Sequence, residues 1–332
     1  MNYAQHMLPP SAKTATPFVK WVGGKRQLQE KLLQVFEQSD WDSSTGTYYE
    51  PFLGGGAVLF ALMGAGAGAG VRARVGDINL SLLQTYRSIK TDFNEFVDET
   101  AFLQDQFNKA AMAGKGRAFY LDHRKEFNSI KHRPHSKKIH KDYGRRVASL
   151  FLFLNKAGFN GLYRESRVGE FNVPFGNKSR VKLFELENLK IVRKVLLRTS
   201  IISGDYIKIL QEMKIRPKKR DLIYFDPPYE PKPDTAAFTN YSHSGFNFKD
   251  QERLADLAAR LGKTGCRIVI SNSSAEHLIN IYWKHNFFVY EVKATRLVSA
   301  KSSGRKPVME VIVTNFEVTG ISGLRLLPKQ SE

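Results

Sequence analysis

Asp226-Pro227-Pro228-Tyr229 stands directly after the apolar run 222–225. The run reads as a short buried strand, and proline, which cannot donate to a ladder, ends it. A carboxylate at the carboxyl end of such a strand lies on the edge where α/β sheets bind ligands. The prolines fix the backbone, so the Asp226 carboxylate and the Pro227 carbonyl can point together into a cleft. Two adjacent acceptors suit an exocyclic amino group, which carries two N–H donors, and Tyr229 can stack on the ring bearing it. An aryl amine is a poor nucleophile because its lone pair is delocalised. Accepting both hydrogens localises that pair for attack on a methyl sulfonium. A plain Asp-Pro-Pro turn with a surface tyrosine is the competing reading, and the buried strand before it argues the other way.

Two glycine loops could complete such a site. In "YEPFLGGGAVLF" (49–60) Gly54 and Gly56 fit G-x-G beyond a strand, where glycine allows a tight turn close to a helix N-terminus. The third glycine of the dinucleotide fingerprint is missing, and alone the match is weak. Asp77, in "VGDINL", closes the next strand, where an acid can hold both hydroxyls of an adenosyl ribose. These features fit a dinucleotide and S-adenosylmethionine equally. "FVKWVGGKRQL" (18–28) adds Gly23, Gly24 and Lys25. A solvated lysine is the plain reading, whereas a lysine beside a ligand carboxylate favours an amino-acid-bearing cofactor. Asp226 then decides for S-adenosylmethionine.

The elements that must position these residues fall into two kinds. Residues 48–56 run from strand into glycines, Ala57 to Met63 reads as helix, and Val71, Ala73 and Val75 alternate with arginines as a strand. That order is a βαβ unit with a parallel sheet. Strand signals return at 200–204, 222–225, 267–271, 287–292 and 308–316, with an amphipathic helix in "DQERLADLAARL". Between these ends, residues 81–157 are helical without a convincing strand, and 160–180 reads as a hairpin with short strands near Arg164 and 170–173. The expected organisation is a frayed tail 1–17, an α/β part made of 18–90 and 190–318, and an insertion 91–189 with its hairpin near 160–175. "GAGAGAG" (64–70) reads as a flexible connection.

Fifty-one Lys and Arg against 32 Asp and Glu give a net charge of +19, which suits a polyanion, nucleic acid above all. The run 131–146 is densest in base; its three histidines lack the spacing of a metal site, and a phosphate-facing or solvated surface is the expectation. One cysteine, Cys266, excludes an internal disulfide and points to a reducing compartment. No apolar run suits a signal peptide or a membrane span, so a cytoplasmic protein is expected.

With "KWVGGKRQL", "EPFLGGGAVLF", "GDIN", "GEFNVPFG" and "DPPYEP" in this order, residues 18–318 resemble the DNA adenine methyltransferases of the Dam (D12) class. The resemblance implies methylation of adenine N6 by S-adenosylmethionine. It also implies a class I methyltransferase fold, a Rossmann-like, mostly parallel seven-stranded α/β sheet with an inserted helical DNA-recognition domain and β-hairpin. Asp226, Pro227, Pro228 and Tyr229 match the catalytic tetrapeptide. Trp21, Gly23, Gly24, Lys25, Glu50 and Phe52 match cofactor-contacting positions, as do Gly54, Gly56, Asp77, Ile78 and Asp226. Lys20, Phe159, Asn160, Leu162, Arg164, Asn172 and Pro174 match DNA-contacting positions. Phe159 departs from the tyrosine of close relatives, and Asn177 from a common basic residue. The implied partner is double-stranded DNA, probed by a monomer without metal, with GATC as target. A separately acting restriction nuclease, replication marking and phage protection are all compatible contexts, in a bacterial or phage nucleoid. A non-catalytic DNA-binding protein and a methyltransferase for RNA or a protein amide are the competing functions; a binder has no need of Asp226 and Tyr229.

Overall fold

The computed structural model describes residues 14–64, 70–131, 140–212, 221–229, 246–295 and 307–329. Most of the glycine–alanine connection, residues 132–139 of the basic run, most of the 301–307 loop and tail residues 1–13 lie outside them.

A single turn of 3-10 helix, Lys25–Gln27, leads into α1 (Gln29–Glu37). Then come β1 (Thr47–Glu50), α2 (Ala57–Gly64), β2 (Arg72–Asp77) and α3 (Leu80–Thr91). Three helices follow, α4 (Phe93–Met112), α5 (Gly116–Ile130) and α6 (His140–Ala157). The chain returns through α7 (Leu186–Leu197), β3 (Thr199–Ser203), α8 (Tyr206–Glu212) and β4 (Leu222–Phe225). It ends with α9 (Phe248–Gly262), β5 (Arg267–Ser273), α10 (Glu276–Lys284), β6 (Phe288–Thr295), β7 (Pro307–Thr314) and β8 (Leu324–Leu326).

One sheet of eight strands results, in the order β3-β2-β1-β4-β5-β7-β6-β8. The first five are parallel; β7 is antiparallel to β5 and β6, and β8 to β6. The fold is that of a class I methyltransferase, with one strand more than the seven expected. The extra strand, β8, is three residues long, too short for a period-2 pattern to register. Helices on both faces explain why β4 is apolar at every position: Leu222 and Tyr224 enter one core, Ile223 and Phe225 the other. The first core continues from the sheet into α4, α5 and α6 through Phe96, Phe107, Phe127 and Phe153. The helical segment therefore shares its apolar interior with the sheet.

Asparagines on helices recur as backbone clamps. Asn108 on α4 accepts from Val181 N (2.8 Å) and donates to Val181 O (3.1 Å). Asn128 on α5 does the same for Phe171, at 2.8 and 3.0 Å. The second clamp explains a difference from expectation. Residues 158–176 form an antiparallel excursion with two isolated bridges, Gly158 to Phe175 and Glu165 to Phe171, in place of two strands. Asn128 occupies the backbone of Phe171, while Tyr120 and Arg124 donate to Val173 O, so these groups bind α5 instead of extending a ladder.

Candidate active site

From β1 the chain moves to β2 and β3 on one side, and β4 and β5 lie on the other. The crevice at such a switch point opens beyond the carboxyl ends of β1 and β4. Those ends carry Glu50 and, directly after Phe225, Asp226. At the opposite end of the same strands, the Asp221 carboxylate accepts from Thr47 N at 2.8 Å and locks their register.

Lys25 brings the loop before α1 into this crevice. Its ammonium is 5% exposed, lies 2.7 Å from Asp226 Oδ1, and donates to Tyr229 Oη at 2.8 Å. Tyr229 Oη in turn donates to Glu310 Oε2 at 2.5 Å, and Lys25 Nζ is 3.9 Å from the same oxygen. Burial pushes the Asp226 carboxyl up to about 6; Lys25 pulls against that, and Glu310 adds to it. Burial also holds Glu50 well above the usual carboxylate range, opposed by the Tyr48 hydroxyl, which donates to Glu50 Oε2 at 3.0 Å. Burial and the nearby acids push the Tyr229 phenol well up, so it stays neutral. The tetrapeptide is braced from behind: Gln251 Nε2 donates to Pro228 O at 3.2 Å, and Asn272 Nδ2 donates to Gln251 Oε1 at 2.9 Å.

The glycine turn after β1 has positive φ at Gly54 (48°) and Gly56 (70°). Asp77 Oδ2 accepts from Gly54 N and Oδ1 from Asn79 N, both at 2.8 Å, while Tyr86 donates to Gly54 O at 2.9 Å. Burial raises the Asp77 carboxyl, and these backbone donors oppose the rise. A Cβ on Gly54 would fall 2.8 Å from the indole of Trp21. The close approach that glycine permits here is therefore made by Trp21, whose ring also stacks on Tyr163 at 5.9 Å and 28°. Gly23, at φ 80°, and Gly24 are exposed in the turn before Lys25.

Not every expected cofactor position converges. The Phe52 ring joins Tyr206 (5.3 Å), Phe246 and Phe225 in the second core, supporting the turn from below. Ile78 is 54% exposed beyond the end of β2.

The expected DNA-contacting residues do share one region. Phe159 is 43% exposed and its N–H donates to Pro174 O at 2.9 Å. Asn160, exposed, sits at φ 52°. Arg164 donates through Nε to Asn172 Oδ1 at 2.7 Å, which leaves the Nη edge as the one that can face a base. Leu162 is half-buried beside them and packs on the first core. The stem of exposed Lys20 lies over Gly161.

Two arginines of the basic run correct the expectation of a phosphate-facing surface. Arg145 pairs with Glu99 and Asp142, and Arg146 with Glu126 and Glu99, so both tie α6 to its neighbours. Sequence reasoning also missed residues that matter here. Glu310 sits in "VMEVIVT", an apolar run that does not by itself say what its one acid faces. Tyr163 and Asn155 lie in or beside a buried aromatic stretch. An acid in an otherwise apolar strand was the one available signal.

Among the described residues, no cluster of three or more metal-ligating side chains occurs, and no helix is long and apolar enough to cross a membrane. Known proteins are similar along nearly the whole chain. The Type II methyltransferase M.MjaIII of Methanocaldococcus jannaschii is 35% identical over 302 residues, 90% of this chain and 99% of its own. M1.LlaDCHI of Lactococcus lactis, also a Type II methyltransferase, is 33% identical over 90% of this chain and 95% of its own. The DNA adenine methylase of Vibrio cholerae is 31% identical over 303 residues, 90% of this chain and 96% of its own. The profile of one family matches residues 21–298. A mostly parallel sheet, a carboxylate at its switch point and this match agree: the chain belongs to the D12 class of N6 adenine-specific DNA methyltransferases.

Proposed function

We propose that the protein transfers a methyl group from S-adenosylmethionine to N6 of adenine in double-stranded DNA, within GATC on both strands, after the base is flipped out of the duplex. One observation carries the chemistry: a carboxylate held at about 6 stands at the end of β4 beside a buried lysine and a tyrosine. The donor set suits this cofactor. Among the described residues, Glu50, Asp226 and Glu310 stand with one cation, Lys25, in the crevice, which fits a ligand with two positive groups and one carboxylate. Lys25 would hold the carboxylate, the turn at Gly54–Gly56 with Trp21 the amino-acid part, and Asp77 the ribose.

When bound, S-adenosylmethionine supplies an electrophilic methyl group. The chain supplies the rest. At neutral pH ionised Asp226, with the Pro227 carbonyl, accepts the two N6 hydrogens and localises the nitrogen lone pair; the N6 proton leaves to solvent after transfer. Tyr229 stacks on the base. The 158–176 excursion, carried by the helical segment 91–189, enters the major groove. Arg164 reads a guanine through its Nη edge, Lys20 a second guanine, and Leu162 with Pro174 the thymine methyl; Phe159 and Asn160 fill the opened duplex. A cognate restriction nuclease acting separately is a compatible partner.

Tritiated methyl transfer to DNA, RNA and protein in parallel is the test, with transfer to DNA alone expected. Transfer to RNA or protein instead refutes the substrate. Single-molecule sequencing of DNA from a methylation-free host expressing the protein should place the modified adenines in GATC; any other motif refutes the target.

A further inference from the structure

Asn155, in the last turn of α6, is 2% exposed, and its side chain makes three hydrogen bonds. Oδ1 accepts from Lys20 N at 2.8 Å; Nδ2 donates to Lys20 O at 2.8 Å and to Gly161 O at 3.0 Å. Both amide hydrogens are thus used, and both backbone groups of Lys20 are held by one side chain. The clamp joins segments 135 residues apart. Its second partner, Gly161, has φ 67° and lies so close that a Cβ there would fall 2.3 Å from Lys20 Cδ. The next residue, Trp21, is fixed on its own account between Tyr163 and the glycine turn.

We propose that Asn155 is a specificity-determining positioning residue: it sets the register of Lys20 against the 159–164 turn, so that both read the same DNA face. The inference rests on the reading of Lys20 and that turn as DNA-reading elements. A buried amide with saturated donors cannot be replaced by a group of other polarity without leaving a carbonyl unpaired. Asn155→Asp is the informative change. It keeps an acceptor for Lys20 N, yet turns an oxygen toward Lys20 O and Gly161 O.

The experiment compares kcat/KM on the cognate duplex and on duplexes with each target base pair substituted. Four proteins are used: wild type, Lys20→Ala, Asn155→Asp and the double variant. Lys20→Ala identifies the base pair that Lys20 reads. Asn155→Asp should relax discrimination at that same base pair by about tenfold, which is 1.4 kcal/mol, with Lys20 still present. The double variant should be no worse than Lys20→Ala, because contacts acting through one another are non-additive. A residue that merely supports folding would lower activity on all duplexes together. Should Asn155→Asp fail to fold by circular dichroism, Gly161→Ala, which pushes on the Lys20 stem, should relax the same base pair.

Unchanged discrimination, relaxation at a different base pair, additivity in the double variant, or no base pair affected by Lys20→Ala would each overturn the proposal. Failure of the proposed methyl transfer to DNA looks different: wild type itself would methylate no DNA.

Discussion

Replacing Lys25 by methionine should move the acid limb of the pH–rate profile upward. In the free protein Asp226 sits at about 6 against an ordinary value of 3.8, a penalty on its charged form of about 3 kcal/mol at 1.36 kcal/mol per pH unit. Lys25, 2.7 Å away and 5% exposed, is what keeps that penalty from being larger. An opposite charge at close range lowers a carboxyl by roughly 1–3 units, so its removal should carry the limb upward by about that much. The sign follows from the proposed mechanism: ionised Asp226 is the acceptor there, so activity should fall as pH drops through its pKa. Removing the like charge with Glu310→Gln should shift the limb the other way, by less. The assay is kcat/KM for DNA at saturating cofactor across pH, which reports groups of the protein before DNA binds. Lys25→Met will also lower the height of the profile; only its position is diagnostic. A limb that stays at the wild-type position in Lys25→Met would refute Asp226 as the titrating acceptor.

Further outcomes follow from the same geometry. Asp226→Asn should abolish transfer yet raise the melting temperature near pH 7.5. A carboxyl whose folded pKa is raised weakens the fold as pH climbs from 3.8 through about 6. The gain is at most about 3 kcal/mol, is reduced by the partner Lys25 loses, and should vanish below about pH 4. A melting curve unchanged at both pH values counts against this. Arg164→Ala should cost about 1–3 kcal/mol and relax one base pair in a substituted-duplex assay, whereas uniform weakening would reduce it to a phosphate contact. Gly54→Ala should destabilise by at least about 1–2 kcal/mol in urea, from left-handed backbone strain alone, since its Cβ would also meet Trp21 at 2.8 Å.

Much of this was legible in the residues. The alternation of Ala73 and Val75 with two arginines became β2, exposed and buried in turn over 72–75, because period 2 leaves few alternatives. Leu222–Phe225 became β4 with all four residues buried, and proline fixed its end. The glycines were found, but not what approaches them: a turn records that space is needed, while the occupant, Trp21, comes from 33 residues earlier. Glu310 stood out only as an acid in an apolar run because its meaning is tertiary; the β5–β7 pairing is what brings it to Lys25. Asn155 escaped notice for the same reason, and the arginines of the basic run misled because composition does not say which cations already have acids beside them.

The Asp221 bond to Thr47 closes a loop 174 residues apart in sequence. Loop-closure entropy grows only logarithmically. Relative to a loop of about 30 residues joining the same strands, (3/2)RT ln n adds only about 1.5 kcal/mol. The centre of the sheet is therefore nearly indifferent to how much chain intervenes, provided that chain folds. Segments between β2 and β4 can lengthen, shorten or change their exposed surface at a small thermodynamic cost, while Glu50 and Asp226 stay at the ends of neighbouring strands. What a protein of this build reads and what it does to the base are free to diverge separately.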